Sequence, residues 1–407
     1  MKICFFNRSY WPDTAATGQL LTELAEDLVA RHGCEVSVVC GFPLHGHRPR
    51  IGGRIVVGEE RRGVQIFRAA GTTRPPGRFV GRVSNYLTYF GSACLAGLRV
   101  PAPDVVVSLT DPPIVGLAAL AAARRSHSKF VFLCEDVFPE VASLIEDFHN
   151  DTVNRALNAI NRLLLRKADR IVALGESMRE RLVAEKGADA AKIAIIHNWA
   201  DCAAITPGDK RNAFARAEGL ADKFVVMHSG NVGLSQNLET LIAAAERLTA
   251  YPDLLVAIVG HGARLGALQD LARSKGLQNV RFLPQQPKER LGDLFAAADV
   301  LVVSLKRGIE GYIVPSKLYG ILAAGRAYVA AVDRRSEAAV IAEECECGLR
   351  AEPGDPDSLA EQILTLYRDP SLSARLAANA RRAASQFDRP RQVEAYYRLL
   401  SEVTGQP

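Results

Sequence analysis

The chain has 407 residues, 48% apolar and 23% charged, with a formal net charge of +5. That balance suits a soluble protein of about two or three cored domains. It excludes a strongly basic nucleic-acid binder, and no recognition-helix, RNP or zinc-finger spacing appears.

In chain order, Lys2–Phe6 reads as a buried strand, and Arg8 interrupts the apolar run too soon for a cleavable leader. A loop to Gly18 follows. Leucines and alanines at helical spacing then run through Gln19–Ala30, and the next strand is Glu35–Cys40. This β-loop-α-β opening predicts a parallel sheet with right-handed crossovers. Gly18 at the helix start would let a ligand approach the backbone, but the loop is not a G-x-G-x-x-G.

His45–Arg82 is different in character, carrying Arg48, Arg50, Arg54, Arg61, Arg62, Arg68, Arg74, Arg78 and Arg82 against Glu59 and Glu60. A strand at Val64–Arg68 is expected within it. Val83–Leu98 is a helical window containing Tyr86, Tyr89 and Phe90. A basic segment beside an aromatic helix is what an anionic membrane surface attracts. The plainer reading puts the aromatics in the core and the arginines in solvent.

Further strands are expected at Asp104–Leu109 and Lys129–Cys134. The second ends in Glu135-Asp136, and carboxylates at such an end lie where open α/β sheets bind ligands. A helix-capping role is the alternative there, since Pro139 and Glu140 follow. Val153–Lys167 should be a helix, Arg170–Leu174 a strand, Ser177–Lys186 a helix, and Lys192–Ile196 a strand running into His197-Asn198. Ala203–Asp222 loses periodicity, so a domain boundary is placed there.

A second β/α series follows. Strands Phe224–His228, Leu254–Val259 and Val280–Leu283 lead to Gly230-Asn231, Gly260-His261-Gly262 and Pro284. Ala298–Ser304 is a short apolar strand, then Glu310-Gly-Tyr-Ile-Val-Pro-Ser-Lys317 and a helix to Gly325. Pro315 suits the first turn of that helix, whose free N–H groups and dipole attract phosphate. Lys317 adds a full charge, and Glu310 could accept hydrogen bonds from sugar hydroxyls. A strand at Tyr328–Val332 and late helices close the chain. Two such domains with ligand loops on a shared cleft make a two-substrate architecture. No span of roughly 18 uncharged apolar residues occurs, so no transmembrane helix is expected. The eight cysteines include no C-x-x-C and read as buried thiols of a reducing, cytoplasmic compartment.

The motifs A-T-G-Q-L-L-T-E-L, E-D-V-F-P-E, I-I-H-N-W-A-D, H-S-G-N-V-G-L-S, V-G-H-G-A-R-L, F-L-P-Q-Q-P and V-P-S-K-L-Y-G-I-L-A-A-G together resemble the retaining glycosyltransferases of family 4. The closest likeness is to bacterial enzymes of O-antigen and exopolysaccharide assembly. The resemblance implies the GT-B fold: two Rossmann-like domains, 1–205 for the acceptor and 206–385 for a nucleotide-sugar donor, with a helix in 386–407 crossing back to the first. It implies retaining, metal-independent hexosyl transfer, with no cofactor, to a lipid-linked saccharide at the inner face of the plasma membrane.

Carried over by position, Gly230, Asn231, Gly260, His261, Phe282, Leu283, Pro315, Ser316, Lys317 and Leu318 would bind the donor. Glu310, Lys317 and Asp136 would act at the reaction centre, and Arg8, Asp13, Gly18, His197 and Asn198 would line the acceptor side. Base selection is expected near Phe282–Pro284 and Gln286. Two departures stand out. Asn231 and Gln236 occupy the positions where members carry an Arg and a Lys. The second glutamate of the family falls on Gly320, or on Leu318 if counted from Glu310, so neither position keeps a carboxylate. That loss suggests one alternative to a transferase, a non-catalytic nucleotide-sugar binder; a GT-B epimerase is a second, for which the sequence shows no obvious acid/base set.

Overall fold

The computed structural model describes residues 1–43, 54–74, 79–146 and 150–406. Two compact units divide the chain. One comprises Met1–Val141, His149–His197 and Gln392–Pro407; the other comprises Ala142–Phe148 and Asn198–Arg391.

The first unit holds an eight-stranded sheet. Its strands are β1 (Lys2–Phe6), β2 (Glu35–Gly41), β3 (Val56–Arg61), β4 (Val64–Ala69), β5 (Val105–Ser108), β6 (Lys129–Cys134), β7 (Arg170–Ala173) and β8 (Ile193–Ile195). The order is β3-β4-β2-β1-β5-β6-β7-β8. All neighbours are parallel except β3, which pairs antiparallel with β4. Helices cover both faces, so the central strands must be apolar on both sides; β5 is buried at every residue. The chain leaves β1 toward β2 and returns to the other side of β1 as β5. The sheet's switch point, where ligands of open α/β sheets bind, is therefore the carboxyl end between β1 and β5.

The sequence indicated no strand at β3. Its burial alternates down an edge, and it has no continuous apolar run. The helix after β4 runs Phe79–Gly97 and turns Tyr89 inward, 2% exposed, with its hydroxyl 3.4 Å from the Val39 carbonyl. Tyr89 is therefore core and does not insert into a membrane. Leu87, Leu95 and Leu98 are the exposed large apolar side chains in and just after that helix. Arg68 is 1% exposed, bonding Glu59, the Trp11 carbonyl and the Gly41 carbonyl. Arg61 and Arg62 both pair with Glu26. Arg48, Arg50, Arg78 and the Arg82 side chain lie outside the described residues.

The last helix, Arg389–Thr404, belongs from Gln392 onward to this first unit, where Tyr397 stacks on His32 at 4.0 Å.

The second unit holds six parallel strands: β9 (Phe224–Ser229), β10 (Leu254–Val259), β11 (Val280–Leu283), β12 (Val300–Ser304), β13 (Ala327–Ala331) and β14 (Gly348–Ala351). Their order is β11-β10-β9-β12-β13-β14. Strand periodicity divides the core in two. Leu255, Ala257, Leu301 and Val303 face one layer, while Leu254, Val256, Val300 and Val302 face the other. The switch point lies between β9 and β12. No strand was expected at β14, whose four residues Gly-Leu-Arg-Ala carry no strand signal.

Candidate functional site

In the second unit, three loops gather at the carboxyl ends of β9, β10 and β12. The first two are built on glycine. A side chain at Gly260 would stand 1.9 Å from the Gly230 carbonyl oxygen, and one at Gly262 would stand 2.3 Å from that of Val232. Both have φ values open chiefly to glycine, 145° and 158°. The loops are tied by Gly230 N–H to the Val259 carbonyl and Val232 N–H to the His261 carbonyl. His261 itself is exposed. Phe282 of β11 packs on the core and Leu283 is 7% exposed.

The third loop brings Lys317 back across the sheet. The helix begins at Lys317, with Ser316 as its N-cap residue. Pro315 therefore lies before the helix and not in its first turn; its carbonyl accepts from the Leu318 N–H. The Lys317 stem passes over Gly230, where a Cβ would lie 3.5 Å from Nζ. Nζ is 3.0 Å from Nε2 of His228, on β9. Burial pushes the Lys317 ammonium down to about 7. Burial, then the Lys317 charge, holds His228 well below the ordinary histidine range. Two basic groups thus share a part-buried contact, an arrangement that suits an anion.

Glu310 sits in the same loop, half-buried, and its Oε2 accepts from the Arg335 backbone N–H at 3.3 Å. Gln236 spends its Oε1 on the Gly233 N–H within its own loop, while Asn231 is exposed. Of the two positions lacking a second glutamate, Gly320 is half-buried against a ring and Leu318 is inside. A side chain at Gly320 would meet the Phe295 ring at 2.9 Å, and Leu318 is fully buried in the core. Neither could present a carboxylate to a ligand.

In the first unit, the loops after β1, β5 and β6 converge at that sheet's switch point. The Arg8 N–H donates to the Asp111 carbonyl at 2.7 Å, and Ser9 Oγ donates to Asp111 Oδ2 at 2.8 Å. The Asp136 N–H reaches Thr110 Oγ1 at 3.3 Å. Burial, and then the Asp111 charge, raises the Asp136 carboxyl to about 7. No donor among the described residues reaches that carboxylate. Glu140, not Asp136, lies in the first turn of the following helix. It binds the buried Lys186 ammonium, which also bonds the Phe138 carbonyl and Asn158.

Gly18 is buried, and the place of its missing side chain is filled by Ser9 and Tyr10 at 3.2–3.3 Å. Here glycine lets the loop lie on the helix. Asp13 is 8% exposed, its N–H donating to the Tyr10 carbonyl. His197 Nδ1 is 3.0 Å from the Leu174 carbonyl, and burial lowers its pKa. Asn198 is 2% exposed, with Oδ1 unpartnered among the described residues. His228 and Asp111 were not singled out from sequence. A lone histidine in an apolar strand reads as core, and Asp111 reads as a turn residue before Pro112. No three His, Cys, Asp or Glu side chains among the described residues group as metal ligands would.

The fold defines the class. The crystal structure of HepE from Anabaena in complex with UDP-glucose matches 99% of this chain and 100% of its own, with a TM-score of 0.74 at 18% identity. The two α/β units are those of the GT-B glycosyltransferases. Sequence relationship goes further. A Glycosyl transferase 4-like domain matches residues 16–199, and a Glycosyl transferases group 1 domain matches residues 210–383. WbjE of Pseudomonas aeruginosa, named as a glycosyltransferase, is 30% identical over 262 residues, 64% of this chain and 65% of that protein. WcaI of Escherichia coli (strain K12), named as a colanic acid biosynthesis glycosyl transferase, is 28% identical over 343 residues, 80% of this chain and 82% of that protein. The chain belongs to the group 1, family-4-like glycosyltransferases.

Proposed function

We propose that the protein transfers a hexose or N-acetylhexosamine, with retention and without a metal, from a nucleoside-diphosphate sugar to a lipid-linked saccharide in bacterial surface-polysaccharide assembly. The observation that carries the reading is the half-buried Lys317 at the β9–β12 switch point, its ammonium set over Gly230 and against the buried His228. In the transfer, the bond from the sugar C1 to the diphosphate breaks and a bond from C1 to the acceptor oxygen forms. The departing diphosphate gains charge, which Lys317 and the glycine-loop backbone would stabilise. Glu310 would hold the donor sugar. Asp136, a carboxylate with proton affinity near neutrality, suits the acceptor side, where a hydroxyl proton must leave. HepE binds UDP-glucose and WcaI is named for colanic acid biosynthesis, which supports this donor and acceptor class.

Work at an anionic membrane face is part of the proposal. Exposed Arg54 and Arg74 and the apolar Leu87, Leu95 and Leu98 support it. No helix among the described residues is long and apolar enough to cross a membrane. The test is incubation with UDP- and GDP-sugars and a bacterial glycolipid extract. The expected result is a glycolipid product whose anomeric configuration, read by NMR, matches the donor. Binding without product or donor hydrolysis favours the non-catalytic alternative, to which the absence of a carboxylate at Gly320 and Leu318 points.

A further inference from the structure

We infer that His228 is a positioning residue for donor binding: a neutral imidazole whose Nε2 lone pair accepts one Lys317 N–H and aims the remaining two at the donor diphosphate. The inference rests on the proposed role of Lys317 and deepens it.

The backbone provides the place. His228 and Ser229 remain paired with Ile258 and Val259 of β10. On the other side, the β9–β12 ladder ends at Val226–Val300 and Met227–Leu301. His228 is thus the first residue of β9 beyond the β12 pairing, in the crevice of the switch point. Its side chain is fully buried, so its orientation is fixed by packing. The Lys317 Nζ sits 3.0 Å from Nε2. A protonated Lys317 has no acceptor capacity, so it donates and Nε2 accepts at 3.0 Å; the Asn231 carbonyl, 3.4 Å from the same nitrogen, then receives no hydrogen bond from it.

The electrostatics agree. Burial and the adjacent Lys317 charge disfavour imidazolium, and they outweigh the Asn231 and Val302 carbonyls, which favour a proton on the ring. A charged histidine would repel Lys317 and give up the lone pair. The surroundings add no competing charge: burial is the cause of the Lys317 shift, and no carboxylate offsets it. The charged or titratable groups on neighbouring loops are exposed His261 after β10 and Glu310 after β12, whose Oε2 faces the Arg335 N–H. The arrangement also supplies what Asn231 and Gln236 do not. With no second cation in the first loop, the direction of the single lysine carries the phosphate contact.

The test is UDP and GDP affinity, by calorimetry, for the wild type and for His228→Leu, His228→Gln, Lys317→Ala and the Leu/Ala double variant. His228→Leu keeps an apolar filler but removes the acceptor. Its Kd for the tighter nucleotide should rise about 10–100-fold, the usual effect of losing one hydrogen bond to a charged group. His228→Gln restores an acceptor and should come within about threefold of wild type. In the Lys317→Ala background, His228→Leu should have no further effect.

A merely structural histidine would not move the pH profile. Here the pH above which affinity falls should move down in His228→Leu and return in His228→Gln. Equal losses from His228→Leu in both lysine backgrounds, or failure of folded His228→Gln to recover affinity, would overturn the inference. Near-normal affinity in Lys317→Ala, or no wild-type binding of either nucleotide, would overturn both it and the donor role of Lys317. Loss in Lys317→Ala with normal affinity in His228→Leu would overturn the histidine role alone.

Discussion

With Lys317 in the proposed donor role, donor binding would be a proton-linked event. Its ammonium is held at about 7 by burial, against an ordinary value of 10.5. A bound diphosphate would place two or three negative charges beside it and favour the protonated form. Above pH 7 the free protein is increasingly neutral at this position, so binding must take up a proton. Well above pH 7 each pH unit then costs about 1.4 kcal/mol of affinity, or about 50-fold between pH 7 and pH 9. Working above pH 7 keeps the last phosphate ionisation, near 6, out of the measurement.

The assay is calorimetry with UDP at pH 8 in two buffers of different ionisation enthalpy. Uptake should be about 0.9 proton, from the fraction of Lys317 deprotonated one unit above its pKa. Lys317→Met, which keeps an apolar stem, should abolish both the uptake and the pH slope. It should also lower kcat/KM by about 100-fold or more, the usual effect of removing one transition-state donor. Stability follows the same shift. The folded pKa lies below the unfolded one, so the burial penalty is present in full below pH 7. It is relieved as pH rises toward 10.5, because the unfolded chain then binds more protons. Affinity that stays flat from pH 7 to 9, with no buffer dependence, would refute the reasoning.

Four further outcomes can be checked. Asp136 has the opposite linkage: its folded pKa of about 7 exceeds the ordinary 3.8, so a stability penalty develops as pH rises from 3.8 to 7. Asp136→Asn should therefore raise Tm more at pH 8 than at pH 4.5 while slowing turnover, and equal shifts at both pH values would contradict that. Gly260→Ala places a Cβ 1.9 Å from the Gly230 oxygen; it should cost about 1–3 kcal/mol in strain, with at least tenfold weaker UDP binding. Gly266→Ala, with open space around it in the helix Leu265–Ser274, should instead stabilise by about 0.4–1 kcal/mol in denaturant melts. Co-sedimentation should show binding to anionic but not neutral vesicles, reversed by high salt. Leu87, Leu95 and Leu98 changed together to Ser should weaken it, and no loss would place membrane contact elsewhere.

The alternation of apolar strands, glycine-bearing loops and helices was local, so it was legible. Val300–Ser304, with Pro315-Ser316-Lys317 following, announced a strand, a loop and a cation at a helix start from residue type and spacing alone. The last helix was legible from its own periodicity. Edge strands were not, because β3 and β14 lack the continuous apolar run that burial on both faces demands of a central strand. The helical window around Tyr89 likewise carried apolar residues on more than one side. Only packing determined that Tyr89 turns inward while Leu87 and Leu95 turn out.

The sequence by itself determined the two β/α series, their glycine loops and the lysine that follows β12. Tertiary structure alone decided what those residues face. It set Lys317 against His228 across 89 positions of chain, joined Ser9 to Asp111 across 102, and packed Gly320 against Phe295. The physical reason is that propensity and periodicity act within a few residues. A buried charge, an acceptor lone pair or a close-packed ring takes its partner from whichever strand the sheet order brings alongside.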